Sequence, residues 1–278
     1  MRRRFLVVTD THYCHETEYN QIRYGNITND EKATRIIAQI EKEYQREPFS
    51  MIFFLGDYSL DHWFWDTKGS YLTMGVSYTE LFLKKYMQNL PAPYLMIPGN
   101  HEQFGEEKWR EITGMGRTSH AVFDDILFVL WDSYGENLDP EEHSDGTYTP
   151  IDVPYVRGLM AKYPDKKVVL LSHHFVPDGS QEESELISDE RVICLFQGHT
   201  HTAHVDTLPA SYKNKKCIHS GGWSHLTPET EVPWGVRDIV IEDNTLTSHF
   251  FVDAFTFQNG GQEYHIEERI SQKVEIEF

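Results

Sequence analysis

Five short apolar runs in this chain each end on residues of metal-ligating type. Phe5–Thr9 leads into Asp10-Thr11-His12, and Met51–Leu55 into Gly56-Asp57. Tyr94–Ile97 leads into Pro98-Gly99-Asn100-His101-Glu102, and Val168–Leu171 into Ser172-His173-His174. Val192–Phe196 leads into Gln197-Gly198-His199-Thr200-His201. Runs that are continuously apolar, rather than alternating, predict strands covered on both faces. In open α/β sheets the ligand crevice lies outside the carboxyl ends of the strands. Five separate segments are thus expected to deliver Asp, Asn and His to one place.

Each segment alone has an ordinary explanation. Gly-Asp and Gly-Asn after a strand read as turns, because Gly supplies unusual dihedrals and Asp or Asn bonds its own backbone. A buried histidine is commonly a hydrogen-bonded core residue. The combination is what argues for metal, since chance would have to furnish every turn with a ligand in the same position relative to its strand. The donors are imidazole nitrogen, carboxylate oxygen and amide oxygen, with no thiolate. That set suits Zn, Mn, Fe or Ni over copper(I) or iron–sulfur clusters. There are more donors than one tetrahedral zinc needs. Two ions bridged by a carboxylate would use them, and such a pair serves in-line displacement at phosphorus. Asp57, alone in its segment, is the natural bridge.

The secondary-structure signals alternate. A helix is expected from about Asn29, with Ile36, Ile37, Ile40 and Tyr44 on one face and Pro48 after its end. Ser77 with Glu80 forms a capping-box signature. Asp152 ahead of Pro154 marks another helix start. A further run, Ile126–Trp131, completes the apolar set. Asp243-Asn244 separates Ile239–Ile241 from Leu246–Val252 as a hairpin, and the tail from about Gln262 to Phe278 reads as a strand or edge hairpin. The class is α/β.

At this point the chain resembles the calcineurin-like metallophosphoesterase family. The ordered signature D-x-H, G-D, G-N-H-[E/D], H, G-H-x-H is matched by Asp10/His12, Gly56/Asp57, Gly99–Glu102, His173 and Gly198–His201. The resemblance implies a four-layer α/β/β/α sandwich, a single domain over 1–278 with the motifs in 5–205 and a β-rich completion in 206–278. It implies that Asp10, His12 and His201 hold one ion and Asn100, His173 and His199 a second, with Asp57 bridging and the ions being Mn, Fe or Zn. It implies attack on phosphorus by a metal-bridging hydroxide. His101 would stabilise the transition state or protonate the leaving oxygen, with Glu102 or Asp61 to orient it. Of the adjacent His173 and His174 only one should face the metal, because successive strand residues point opposite ways; His173 matches the family position, although His-His-Phe-Val-Pro is one residue longer than the usual His-His-Pro.

The expected substrate is a small phosphomonoester or phosphodiester. The formal charge of −19 shows no basic track of the kind a nucleic-acid binder needs, which disfavours long nucleic acid and hence a nuclease of the same fold. A non-catalytic scaffold is the other alternative, and it would be expected to lose ligands that are all present here. Tyr58–Trp65 could stack on a planar leaving group or cap the core, and Gly221–His225 could wall a pocket or pack a Trp. His204 reads as structural or as part of the pocket rim. No run is long enough to cross a bilayer, and the first apolar run is too short for a secretory leader; the expected location is cytoplasmic. Cys14, Cys194 and Cys217 show no disulfide or zinc spacing.

Overall fold

The structure, a computed structural model, describes residues 2–14, 26–60, 77–102, 105–134, 147–224, 234–259 and 261–278. Two six-stranded sheets face each other. The first contains β1 (Arg3–Val8), β2 (Ile52–Phe54), β3 (Tyr94–Met96), β10 (Gly235–Glu242), β11 (Thr245–Val252) and β14 (Arg269–Glu277), in the order β14-β11-β10-β1-β2-β3. The second contains β4 (Ser119–Phe123), β5 (Ile126–Trp131), β6 (Lys167–Ser172), β7 (Val192–Gln197), β8 (Val205–Thr207) and β9 (Lys216–His219), in the order β4-β5-β6-β7-β9-β8. A separate hairpin joins β12 (Phe255–Asn259) to β13 (Gln262–Ile266).

The layering follows from the two-residue period of a strand. In β1, Phe5 and Val7 pack with Phe128, Leu130, Val169 and Leu171 of the facing sheet, forming the core between the sheets. Leu6 and Val8, on the other face, pack with Ile36 and Ile40 of α1 (Asn29–Arg46), Phe82 of α2 (Tyr78–Tyr86) and Trp109 of α3 (Glu106–Thr113). The second sheet does the same outward: Leu127, Val129 and Trp131 meet Val156, Leu159 and Met160 of α4 (Val153–Lys162) and Leu186 and Ile187 of α5 (Gln181–Ile187). Helix, sheet, sheet and helix make the α/β/β/α sandwich. It explains why the central strands carry no polar alternation.

Local signals set the helix starts. Thr28 and Glu31 close a full capping box on α1, and Ser77 and Asp152 cap α2 and α4. The chain leaves α1 at Glu47, which is extended at φ −156° because Pro48 follows it. Ile36 and Ile40 are fully buried on the sheet side, each contributing on the order of 1.5–3 kcal/mol by leaving water.

Parallel pairing decides where the loops emerge. β1 and β2, and β2 and β3, are parallel; so are β5–β6, β6–β7 and β7–β9. Each connection therefore returns to the same end, and each ligand-bearing segment leaves there. The region after residue 206 serves both sheets: β9 extends the second, while β10, β11 and β14 extend the first beside β1. No disulfide links Cys14, Cys194 and Cys217. Among the described residues no helix is long and apolar enough to cross a membrane.

Candidate metal centre

Backbone pairing continues past the ends of β1 and β2 and fixes the first two ligand segments side by side. Asp10 N–H donates to Gly56 O at 3.1 Å, His12 N–H to Asp57 O at 2.9 Å and Tyr13 N–H to Tyr58 O at 2.8 Å. Asp10, His12, Asp57, His199 and His201 all have positive φ, between 46° and 62°. That left-handed region costs an L-residue about 1–2 kcal/mol, and such conformations gather at functional sites. They turn the side chains inward from the strand ends. At Gly198 a Cβ would stand 2.0 Å from Thr9 Oγ1 and 2.8 Å from Asp10 Oδ2, so only glycine lets this segment lie against the first. His199 N–H then donates to Asp10 Oδ2 at 3.0 Å.

Two groups of donors result, and they share Asp57: Asp10, His12, Asp57 and His201 in one, Asp57, His173 and His199 in the other. Asp57 Oδ2 lies 3.3 Å from His12 Nε2 and 3.2 Å from His173 Nε2. Asp10 Oδ1 lies 3.2 Å from His201 Nε2. Asn100 Oδ1 stands 2.9 Å from His173 Nε2 and 3.0 Å from His199 Nδ1. His173 Nδ1 is 2.6 Å from Leu55 O; it is the donor there, which leaves Nε2 turned to the carboxylate. Such an outward bond is how a metal-ligating imidazole is oriented.

Electrostatics describe the same crowding. Burial alone would raise the Asp57 carboxyl, but His173 and His101, with His12, hold it well below the usual carboxylate range. Burial would likewise raise Asp10, and the imidazoles of His12 and His201 outweigh it. Burial pushes His199 down to about 3, helped by His173 and His174. Asp10 Oδ1 is buried without a hydrogen bond, an arrangement that ordinarily costs about 1–3 kcal/mol or more. Buried carboxylates, an amide oxygen and imidazole lone pairs facing one another are the donor set that divalent ions satisfy. The residues present fit two such ions.

A family model for calcineurin-like phosphoesterases matches residues 3–203. The chain belongs to that family. It is a metal-dependent hydrolase of phosphoric ester bonds. A relative described as a probable cyclic nucleotide phosphodiesterase, from Pseudoalteromonas sp. (strain SM9913), is 25% identical over 209 residues, 71% of each chain. A dimetal phosphatase from Danio rerio shares the fold at a TM-score of 0.67 and 13% identity, over 99% of this chain and 98% of that one. A purple acid phosphatase from yellow lupin gives 0.56 at 13% identity, over 100% of this chain and 54% of its own. GAP50, the anchor in the inner membrane complex of Plasmodium, gives 0.52 at 11%, over 96% and 89%.

Other residues of this phosphoesterase take places of their own. His101 sits at the edge of the centre, its backbone N–H donating to Asp57 Oδ1 at 3.1 Å and its Nε2 3.7 Å from Asp57 Oδ2. Glu102 acts on the loops: its carboxylate accepts from Asp57 N–H at 2.8 Å, Gly99 N–H at 2.9 Å and Ser59 N–H at 3.1 Å. Asp61 lies outside the described residues, as does His225. His174 stacks on His199, with centroids 4.0 Å apart, and its Nδ1 meets Tyr134 Oη at 2.9 Å; it is in neither donor group. Tyr58 is buried, with its hydroxyl on Phe54 O and Ile97 O at 2.9 and 2.8 Å, a core role; residues 61–65 of the aromatic stretch are outside the described residues. Trp223 is fully buried against Trp234, while its backbone N–H donates to Asp10 O at 3.0 Å.

Sequence reasoning did not find Arg117. This buried guanidinium joins three loops, reaching Asp132 Oδ2 at 2.6 Å, Tyr134 O at 2.6 Å and Glu102 O at 3.3 Å. Nothing near it in the chain signals that role, because its partners come from distant segments.

Proposed function

We propose that this protein hydrolyses a small phosphodiester at a two-metal centre held by Asp10, His12, Asp57, Asn100, His173, His199 and His201. The observation that carries this reading is the single oxygen, Asp57 Oδ2, standing 3.3 Å from His12 Nε2 in one donor group and 3.2 Å from His173 Nε2 in the other. Two ions there supply an activated water and withdraw charge from phosphate oxygens. The chain's own residues do the rest. Asp57 holds both halves of the donor set in register, and Asn100 fixes the imidazoles of His173 and His199. Burial pushes His101 down to about 3, so it meets substrate as a neutral imidazole. It donates a hydrogen bond to charge developing on a phosphoryl oxygen or the leaving oxygen, a role commonly worth about 10²–10³ in turnover.

The diester preference is supported by the likeness to the probable cyclic nucleotide phosphodiesterase, and the acidic balance argues against long polyanions. The test is hydrolysis of bis(para-nitrophenyl) phosphate, para-nitrophenyl phosphate and a 3′,5′-cyclic nucleotide by protein reconstituted with manganese, beside its metal content. About two ions per chain with faster diester cleavage supports the reading. Faster monoester cleavage would assign a phosphomonoesterase. Two bound ions with no turnover on any ester would indicate a scaffold.

A further inference from the structure

Outside the dimetal centre lies a second convergence of ligand atoms, on the edge of the second sheet. Val205 pairs with Ile218 across β8 and β9, which sets the preceding His204 opposite His219; His219 N–H donates to His204 O at 2.9 Å. The two-residue period then places Asp206 on the same face as His204. The His204 and His219 rings stack with centroids 3.7 Å apart. Asp206 Oδ2 lies 3.4 Å from His204 Nε2 and 3.1 Å from His219 Nε2, and donor atoms of all three lie within 4.8 Å of one another.

Surrounding hydrogen bonds choose the tautomers. Phe175 N–H donates to Gln197 Oε1 at 2.8 Å, so the Gln197 amide nitrogen is what faces His219 Nε2 at 3.1 Å. In the tautomer that accepts this amide, Nε2 carries the lone pair and Nδ1–H donates to Thr200 Oγ1 at 2.8 Å. Thr202 Oγ1 donates to Thr200 Oγ1 at 3.2 Å, which leaves it to accept from His204 Nδ1–H at 2.9 Å. In these tautomers both Nε2 atoms present lone pairs on the side of one carboxylate oxygen, Asp206 Oδ2. Acceptors this close repel unless a proton or a cation lies among them; His219 Nε2 and Asp206 Oδ2 stand at hydrogen-bonding distance, 3.1 Å, a contact that a bound ion would replace. Ligand imidazoles characteristically donate their other N–H outward, as both do here.

We propose that His204, Asp206 and His219 form a third cation site, selective for zinc or a similar borderline divalent ion. Two imidazoles and one carboxylate are a familiar three-ligand set for zinc, with solvent completing the tetrahedron. His219, whose side chain is only 7% exposed, is fixed in place, while Asp206 at 57% and His204 at 41% open the site to solvent. When the ion binds, Gln197 keeps its contact to Cys217 Sγ at 3.2 Å. The site is independent of the proposed phosphodiester reaction.

The experiment is equilibrium dialysis of the whole chain against zinc, with metal counted by plasma mass spectrometry. Wild type, His204→Ala and Asp206→Ala are compared, each checked for an unchanged circular-dichroism melt. Both substituted side chains are partly exposed, so the fold should survive. The expected result is about three zinc ions in wild type and about two in each variant. Wild type saturating at two, or both variants retaining three, overturns the proposal. Repeating the Asp206→Ala comparison in an Asp57→Asn background should again cost about one ion; no loss there would assign that ion to the dimetal centre and also overturn it.

Discussion

Gly99 packs against Asp57 so closely that a Cβ on it would stand 2.1 Å from Asp57 Oδ1 and 2.6 Å from Asp57 N. The glycine of the Gly-Asn-His turn is there to admit the Asp57 carboxylate, the proposed bridge. Gly99→Ala must push Asp57 off both donor groups. Metal affinity is expected to fall by about 10–100-fold, the usual cost of disturbing a ligand's support. Calorimetric titration of metal-free protein with manganese measures it; unchanged affinity would mean the loop shifts without moving Asp57.

His101 touches the centre through Asp57 but is not placed among the donors. His101→Ala is expected to lower kcat by about 10²–10³ while two ions stay bound. Parallel metal analysis and steady-state kinetics separate the roles. Loss of an ion in step with turnover would make His101 a ligand.

Glu102 gathers three backbone N–H groups from two loops. In Glu102→Gln one acceptor oxygen becomes an NH2 group facing a donor. A buried N–H left without its acceptor costs about 1–3 kcal/mol, and about 2–4 °C of Tm follows per kcal/mol in a chain of roughly this size. Differential scanning calorimetry reads this directly. A Tm equal to wild type would show that the loops do not depend on this carboxylate.

Glu183, remote from the metal centre, reports on pH. Its Oε1 accepts from Tyr212 Oη–H at 2.6 Å and Asp178 N–H at 3.1 Å, while Oε2 is buried without a hydrogen bond. Burial raises its pKa above the ordinary carboxylate value. The folded protein therefore holds this proton more tightly than the unfolded chain does. Its stability cost is absent below the unfolded pKa, sets in as pH rises to the folded one, and stays constant above. Glu183→Gln keeps the shape without the charge. It should gain thermal stability over wild type at pH 7 and lose that advantage at pH 4. A difference in Tm that is flat across this range would contradict the assignment.

The candidate ligands were legible because their signal is local. A continuous apolar run, then a turn residue, then Asp, Asn or His can be read within a dozen positions, and this located Asp10, Asp57, Asn100, His173, His199 and His201 at strand ends. Capping chemistry at Thr28, Ser77 and Asp152 acts within one helical turn, so helix starts were legible too. Short or weakly apolar elements were not: β4, β8 and β9 take their form from neighbours, and α3 begins at Gly105, which supplies no side-chain cap.

What the chain's local chemistry could not decide is which distant groups meet. Glu102 was a candidate to orient His101, yet its carboxylate binds the backbone of Asp57, Gly99 and Ser59, from two different crossovers. Arg117 gains its role only when the ends of β3 and β5 come together. His204 looked like a rim residue, and its pairing with His219 exists only because β8 folds back antiparallel on β9. The order of donors along the chain is covalent and survives unfolding. Their convergence comes from parallel strands that return every connection to one end of two sheets, and that depends on burying Phe5, Val7, Val169 and Leu171 between them.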